Sequence, residues 1–255
     1  MRLTILGSSG SVPAPGNPAS GYMINSPDSP SLIMDMGPGV LASLQEIQDP
    51  SDAHVTFSHL HTDHCADFAS LLVWRRFHPT KAAKSRNLLF GPQDTPNRLG
   101  RLSSDEPEGV DDMSDTFAFD AWKERQPLLI DKFTVTPFRV VHPIETYALR
   151  VEEHNTGATV TYSGDSAYTE ALIDAARGAD IFLCEATWGA SCDGKAPGMH
   201  MCAQDAGKLA AAAGVKKLVI THIPPWVEAD TAVAAAAQYF DGPIELARPG
   251  MHFDI

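Results

Sequence analysis

Seven consecutive residues, SHLHTDH at positions 58–64, constrain this chain more than any other feature. They set His59, His61, Asp63 and His64 between a short apolar run at 54–57, which reads as a strand, and a stretch whose apolar residues Phe68, Leu71, Leu72 and Phe77 recur at helical spacing. Alternate residues leaving an extended strand project together, so His59 and His61 are placed to share one cation. Asp63 and His64, where the chain turns into the helix, face a neighbouring one. An isolated histidine is usually structural, but three histidines and an aspartate within six residues point to a metal centre.

The rest of the chain supplies partners for that cluster. Short β-branched runs alternate with helical patterns and Gly/Pro-rich connections throughout, the signature of an α/β architecture, and no internal repeat is visible. Strands are expected at 2–6, 32–35, 133–141, 159–162, 181–184 and 218–221, and helices at 40–47 and from 68 to about His78, before Pro79. Four of these strands run straight into a residue that binds metal or carries protons: His142, Asp165, Glu185 and His222. Strand ends are where α/β proteins place their chemistry. His54, His78, His154 and His252 have no partners at useful spacing and read as structural. Residues 7–21, rich in Gly, Ser and Pro, form a loop without the phosphate-binding GxxxxGK[ST] pattern, so the loop is at most a support to the site. Residues 105–120 carry seven Asp and Glu with no Lys or Arg and read as a solvated surface excursion.

Charge and composition narrow the function. The chain has 255 residues with 32 Asp and Glu against 19 Lys and Arg, a net charge of −13, which removes the counterion-release term that drives most nucleic-acid binding. The length suits one domain, 1–255. No apolar run is long enough for a membrane span, and the segment MRLTILGSSG lacks the apolar core of a signal peptide, so a cytoplasmic protein is expected. Cys65, Cys184, Cys192 and Cys202 have no CxxC spacing and read as reduced, space-filling residues.

HLHTDH matches the HxHxDH signature of the metallo-β-lactamase superfamily, and His142, Asp165 in YSGDS, His200 in HMCAQDAG and His222 in ITHIPP follow in the order that superfamily requires. Essentially the whole chain resembles it. The resemblance implies a four-layer αβ/βα sandwich of two mixed β-sheets flanked by helices. It also implies two divalent ions: His59, His61 and His142 on the first, Asp63, His64 and His222 on the second, and Asp165 bridging. Imidazoles and carboxylates suit zinc first, with manganese or iron as alternatives. Two cations about 3.5 to 4 Å apart can activate a shared water and neutralise the oxygens of a phosphodiester. Asp63 is then placed to steer or deprotonate that water, His200 to donate a proton to phosphate or leaving group, and Glu185 to orient His200.

The CEATW segment with Glu185, Ala186 and Thr187, followed by His200, is similar to the ribonuclease Z branch of phosphodiesterases. That family inserts a long tRNA-gripping arm between the positions of His142 and Asp165, which here lie only 23 residues apart. SGSVPAPGNPASGY, LLVWRRFHP, YSGD, FLCEATW and THIPPW together resemble compact bacterial cyclic-nucleotide phosphodiesterases. The resemblance implies hydrolysis of 3′,5′-cyclic AMP, with cyclic GMP a second candidate, to the 5′-monophosphate, by a homodimer without nucleic-acid or membrane partners. The alternatives are an RNA endonuclease, a β-lactamase or thioesterase, and a metal-free binding module. Arg75 and Arg76 beside Trp74 read as solvated arginines on a helix face or as phosphate or base contacts, and Trp74, Trp122 and Trp226 as exposed aromatics for an interface or the nucleotide pocket.

Overall fold

A computed structural model describes residues 1–255. The first half contains β1 (Arg2–Gly7), β2 (Gly21–Asn25), β3 (Ser31–Met34), α1 (Val40–Ile47), β4 (Ala53–Thr56), α2 (Thr62–Cys65), α3 (Phe68–Phe77), β5 (Asn87–Gly91), α4 (Thr95–Ser103) and β6 (Phe117–Ala121). The second contains β7 (Leu128–Ile130), β8 (Phe133–Arg139), β9 (Tyr147–Glu153), β10 (Thr159–Tyr162), α5 (Glu170–Ala176), β11 (Ile181–Glu185), α6 (Ala203–Ala213), β12 (Leu218–Thr221), α7 (Asp230–Ala236), β13 (Ile244–Leu246) and β14 (His252–Asp254).

The strands form two seven-stranded sheets, ordered β14-β1-β2-β3-β4-β5-β6 and β13-β12-β11-β10-β9-β8-β7. In the first, β14 to β3 pair antiparallel and β3 to β6 parallel. In the second, β7 to β10 pair antiparallel and β10 to β13 parallel. The topology therefore repeats although no repeat is visible in the residues. Only β14 crosses back, closing the first sheet with the C-terminal strand.

Strand alternation builds the layers. Leu32 and Met34 of β3 and Val219 of β12 enter a core between the sheets, whereas Ile33, Leu218 and Ile220 point outward to helices. Three cores of comparable size result: 21 buried residues between the sheets, 19 under α1, α3 and α4, and 24 under α5, α6 and α7. The fold is thus a four-layer sandwich of two mixed sheets between helices, as the family resemblance implied. The alanine richness of α6 and α7 belongs to that packing, because even one carbon added to Gly207 of α6 would collide with the backbone of Ala236. No helix is long and apolar enough to cross a membrane.

Several sequence expectations need correction. Arg75 is not solvated: it is 1% exposed, and its guanidinium donates to Thr116 Oγ1, Asn87 Oδ1 and the carbonyls of Ser51, Ser85 and Thr116. Arg76 pairs with Asp111 and Asp115, so the acidic segment is pinned to α3 rather than free, and its end is the strand β6. Trp122 is buried, stacks on Phe90 and donates its indole N–H to Phe57. Cys192 and Cys202 form a disulfide, while Cys65 and Cys184 are free and buried. That pair is brought together by a loop folding back on the start of α6, a proximity no local spacing announces.

Candidate dinuclear metal centre

The two sheets present the C-terminal ends of β3, β4, β8, β10, β11 and β12 along one edge, and the loops leaving those ends carry the candidate ligands. Two groups form there: His59, His61, His142 and Asp165, and Asp63, His64, Asp165 and His222, with ligand atoms in each within 4.8 Å of one another. Asp165 belongs to both. In the first group His59 Nε2 and His142 Nε2 each lie 3.1 Å from His61 Nδ1, and Asp165 Oδ2 lies 3.6 Å from His59 Nε2. In the second His64 Nε2 lies 3.1 Å from His222 Nε2 and 3.3 Å from Asp165 Oδ2, and His222 Nε2 lies 3.2 Å from Asp63 Oδ2.

The outer hydrogen bonds fix which nitrogens face inward. His64 Nδ1 donates to Asp35 Oδ2 at 2.8 Å, His142 Nδ1 to the carbonyl of Met199 at 2.8 Å, His59 Nδ1 to Ser58 Oγ at 3.0 Å and His222 Nδ1 to Thr187 Oγ1 at 2.8 Å. With the proton on the outer nitrogen, each neutral ring turns a bare lone pair into the cluster. Among His59, His61 and His142, which burial keeps neutral, the nitrogens that face one another inside therefore repel unless a positive charge lies between them. Asp165 Oδ1 adds a buried acceptor with no hydrogen-bond partner. A tetrahedral zinc with bonds of about 2.0–2.1 Å separates its nitrogen ligands by about 3.3 Å. The pairs above, 3.1 to 3.6 Å apart, straddle that value. The donor set fits two divalent ions.

Electrostatics agree with this chemistry. Burial pushes His59, His61 and His142 below the usual histidine range, toward the neutral form that ligates. Burial alone would raise Asp63 and Asp165, but His64 and His222 hold both carboxyls well below the usual range. For His64, burial opposes charge, and Asp165, Asp63 and Asp35 override it and raise the ring; a cation entering the pocket competes with that proton.

Sequence reading missed Asp35. It follows β3, is fully buried, and accepts from Ser58 N at 2.7 Å, Ser58 Oγ at 2.7 Å, Tyr162 OH at 2.9 Å and His64. A signal was present, because Asp35 ends an apolar run as Asp165 and His222 do. Asp35 and His222 both have left-handed backbones, φ 63° and 58°, a conformation Asp and His tolerate better than most residues. The 7–21 loop braces His222: Ser8 accepts its N–H at 2.9 Å, and any Cβ on Gly10 would strike its carbonyl. We expect Asp35→Asn to weaken metal binding in the second pocket by about 10–100-fold, the usual cost of losing an outer partner of a ligating histidine. Zinc titration into metal-free protein measures this, and an unchanged affinity would count against the assignment.

His200 and Glu185 stand beside the cluster. Glu185 is fully buried and accepts from Ser166 N at 2.8 Å and Thr187 N at 3.0 Å, and its Oε1 lies 2.9 Å from His200 Nδ1. That contact leaves Nε2 as the free end of a ring braced edge-on by Trp188 at 5.3 Å. Burial would lower His200, but Glu185 raises it to about 9. In metal-free protein the ring should therefore keep its proton until the pH rises through about 9, and Glu185→Gln should lose it at lower pH. Heteronuclear NMR titration of the imidazole tests this, since equal midpoints would remove Glu185 as the cause. The remaining histidines stand apart from the cluster, as His54 does in bridging Asp131 and the backbone of Leu88.

Residues 32–223 match the family described as beta-lactamase superfamily domain. The chain is 45% identical over 255 residues to "Uncharacterized protein ML1173" of Mycobacterium leprae, covering 100% of this chain and 89% of that one. It is 30% identical over 254 residues to "Probable metallo-hydrolase YhfI" of Bacillus subtilis, covering 98% of each. The crystal structure of YhfI superposes with a TM-score of 0.86 at 28% identity over 99% of this chain and 98% of that one. Ribonuclease Z of Haloarcula marismortui is 25% identical over 298 residues, covering 98% and 96%. The chain belongs to the beta-lactamase superfamily, on its ribonuclease Z-like branch. Within that family it is a metallo-hydrolase.

Proposed function

We propose that this chain is a dinuclear metal-dependent phosphodiesterase that hydrolyses 3′,5′-cyclic nucleotides, cyclic AMP first, to 5′-monophosphates. The observation that carries the reading is His200, its Nδ1 2.9 Å from Glu185 Oε1, standing beside two ligand sets that share Asp165. Two divalent ions bound there, zinc the first candidate, would supply the Lewis acidity that activates water and offsets charge on the phosphoryl oxygens. Asp63, held as a carboxylate, orients the attacking water, whose proton passes to solvent. As the water oxygen bonds to phosphorus, the P–O3′ bond breaks, and His200 Nε2 donates a proton to the departing 3′-oxygen. Glu185 holds His200 charged and in place for that transfer.

A small substrate is favoured over folded RNA. Between His142 and Asp165 the chain is taken up by β9 and β10, which pair antiparallel, so no arm protrudes there to hold a tRNA. The net charge of −13 also works against a polyanion. The second reading, an RNA 3′ endonuclease, is kept because ribonuclease Z is among the relatives. Presenting purified protein with cyclic AMP and precursor tRNA at low salt separates the two. AMP with intact RNA is the expected result, and cleaved RNA without AMP would reverse the assignment.

A further inference from the structure

The Cys192–Cys202 disulfide, Cα to Cα 5.3 Å, lies where the proposed chemistry would feel it. Between the two cysteines runs the segment that delivers His200 to Glu185 and the Met199 carbonyl to His142. Residues 193–199 are exposed throughout. Apart from the His142 to Met199 bond, their hydrogen bonds are local: Asp193 N to Ser191 Oγ, and Lys195 N to the carbonyl of Cys192. A side chain added at Gly194 or Gly198 would meet nothing within 4 Å, so this stretch stands off the body of the protein.

The two ends of the segment are anchored differently. Downstream, Met201 is fully buried and accepts from Trp188 N, and Cys202 is buried as the N-cap of α6. Upstream, the carbonyls of Gly189 and Ala190 accept from Ala203 N and Gln204 N, and beyond them half-buried Cys192 is tied to that anchored end by the sulfur–sulfur bond. The loop also folds back so that Lys195 Nζ lies 5.7 Å from the ring of Trp188, the residue that braces His200.

We propose that the Cys192–Cys202 bond is a positioning element of the catalytic apparatus. By closing the loop it holds His200 against Glu185 and Met199 against His142, and its reduction relaxes both contacts. The inference rests on His200 being the proton donor of the reading above. Reduction by a dithiol balances simply: the S–S bond takes two electrons and two protons to give thiols on Cys192 and Cys202, and the dithiol closes to its own disulfide. Cys65 and Cys184, both buried, take no part. In a reducing compartment the enzyme would then work below its oxidised rate, and oxidation would raise it.

The test compares three samples: protein purified without reductant, the same protein after dithiothreitol, and Cys192→Ser. Peptide mass mapping should find the 192 and 202 peptides linked in the first sample only. Hydrolysis of cyclic AMP, whose 3′-oxygen needs a proton to leave, should lose roughly 10- to 100-fold in kcat on reduction or substitution with KM little changed, as expected for a displaced catalytic group. Reoxidation should restore the native chain and not the variant. Trypsin should cut after Lys195 faster in both opened forms, a readout independent of metal and substrate. Unlinked thiols at both positions in protein handled without reductant, or kcat and tryptic rate indifferent to reduction, would overturn the proposal. If no form hydrolyses cyclic AMP, the cyclic-phosphodiesterase reading fails, and the mass and tryptic measurements still decide whether the bond clamps the loop.

Discussion

His64→Ala is expected to reduce bound metal to about one ion per chain and to lower kcat by more than about 10³-fold. Removing a single electrostatic donor from an active site typically costs about 10²–10³-fold, and this substitution removes a whole cation. His64 is fully buried, and its Nε2 stands within 3.5 Å of ligand atoms from His222, Asp165 and Asp63. Without it the second pocket keeps two carboxylates and one imidazole, and His222 loses the neighbour that completes its site. The first pocket, built from His59, His61, His142 and Asp165, stays intact. Metal analysis alongside kinetics checks this directly, and two ions retained with full turnover would remove His64 from the ligand set. Circular dichroism separates loss of metal from loss of fold.

His200→Ala is expected to behave in the opposite way on metal. His200 touches the cluster through Asp165, with Nδ1 3.9 Å from Oδ2, and its main partner is Glu185. Metal content should therefore stay near two ions per chain while kcat falls about 10²–10³-fold, some 3–4 kcal/mol of transition-state stabilisation. KM should change little if the ring acts on the leaving oxygen. A substrate with a good leaving group, such as a 4-nitrophenyl ester, should lose less than cyclic AMP, because its departing oxygen needs no proton. Equal losses on both substrates would make His200 a binding residue instead.

What could be read from the residues alone follows from how local the information is. His59, His61, Asp63 and His64 were legible because their ligand geometry is fixed within six residues. His142, Asp165, Glu185 and His222 were legible because each ends an apolar strand. Asp35 ends one too, but its role depends on His64, Ser58 and Tyr162, which only folding brings to it. Arg75 sits next to Arg76 on α3, and nothing in the helical pattern separates a side chain reaching inward to Thr116 and Asn87 from one reaching outward to Asp111 and Asp115. Trp122 and the Cys192–Cys202 pair were misread for the same reason, since their surroundings come from distant segments. The strands β2, β9, β13 and β14 were not anticipated, nor were β5, β6 and β7. Asn87, Asp120 and the short LLI run give weak strand signals, and their pairing is decided by neighbouring strands.

On the proposed reading, the ligand set around Asp165 binds two cations and supports hydrolysis of a small phosphodiester. The most direct test of that reading is a titration of metal-free protein with zinc, following AMP released from cyclic AMP at each addition. No AMP is expected without metal, and the rate should climb to a plateau at two equivalents per chain. A plateau at one equivalent, or no AMP at any loading, would contradict it.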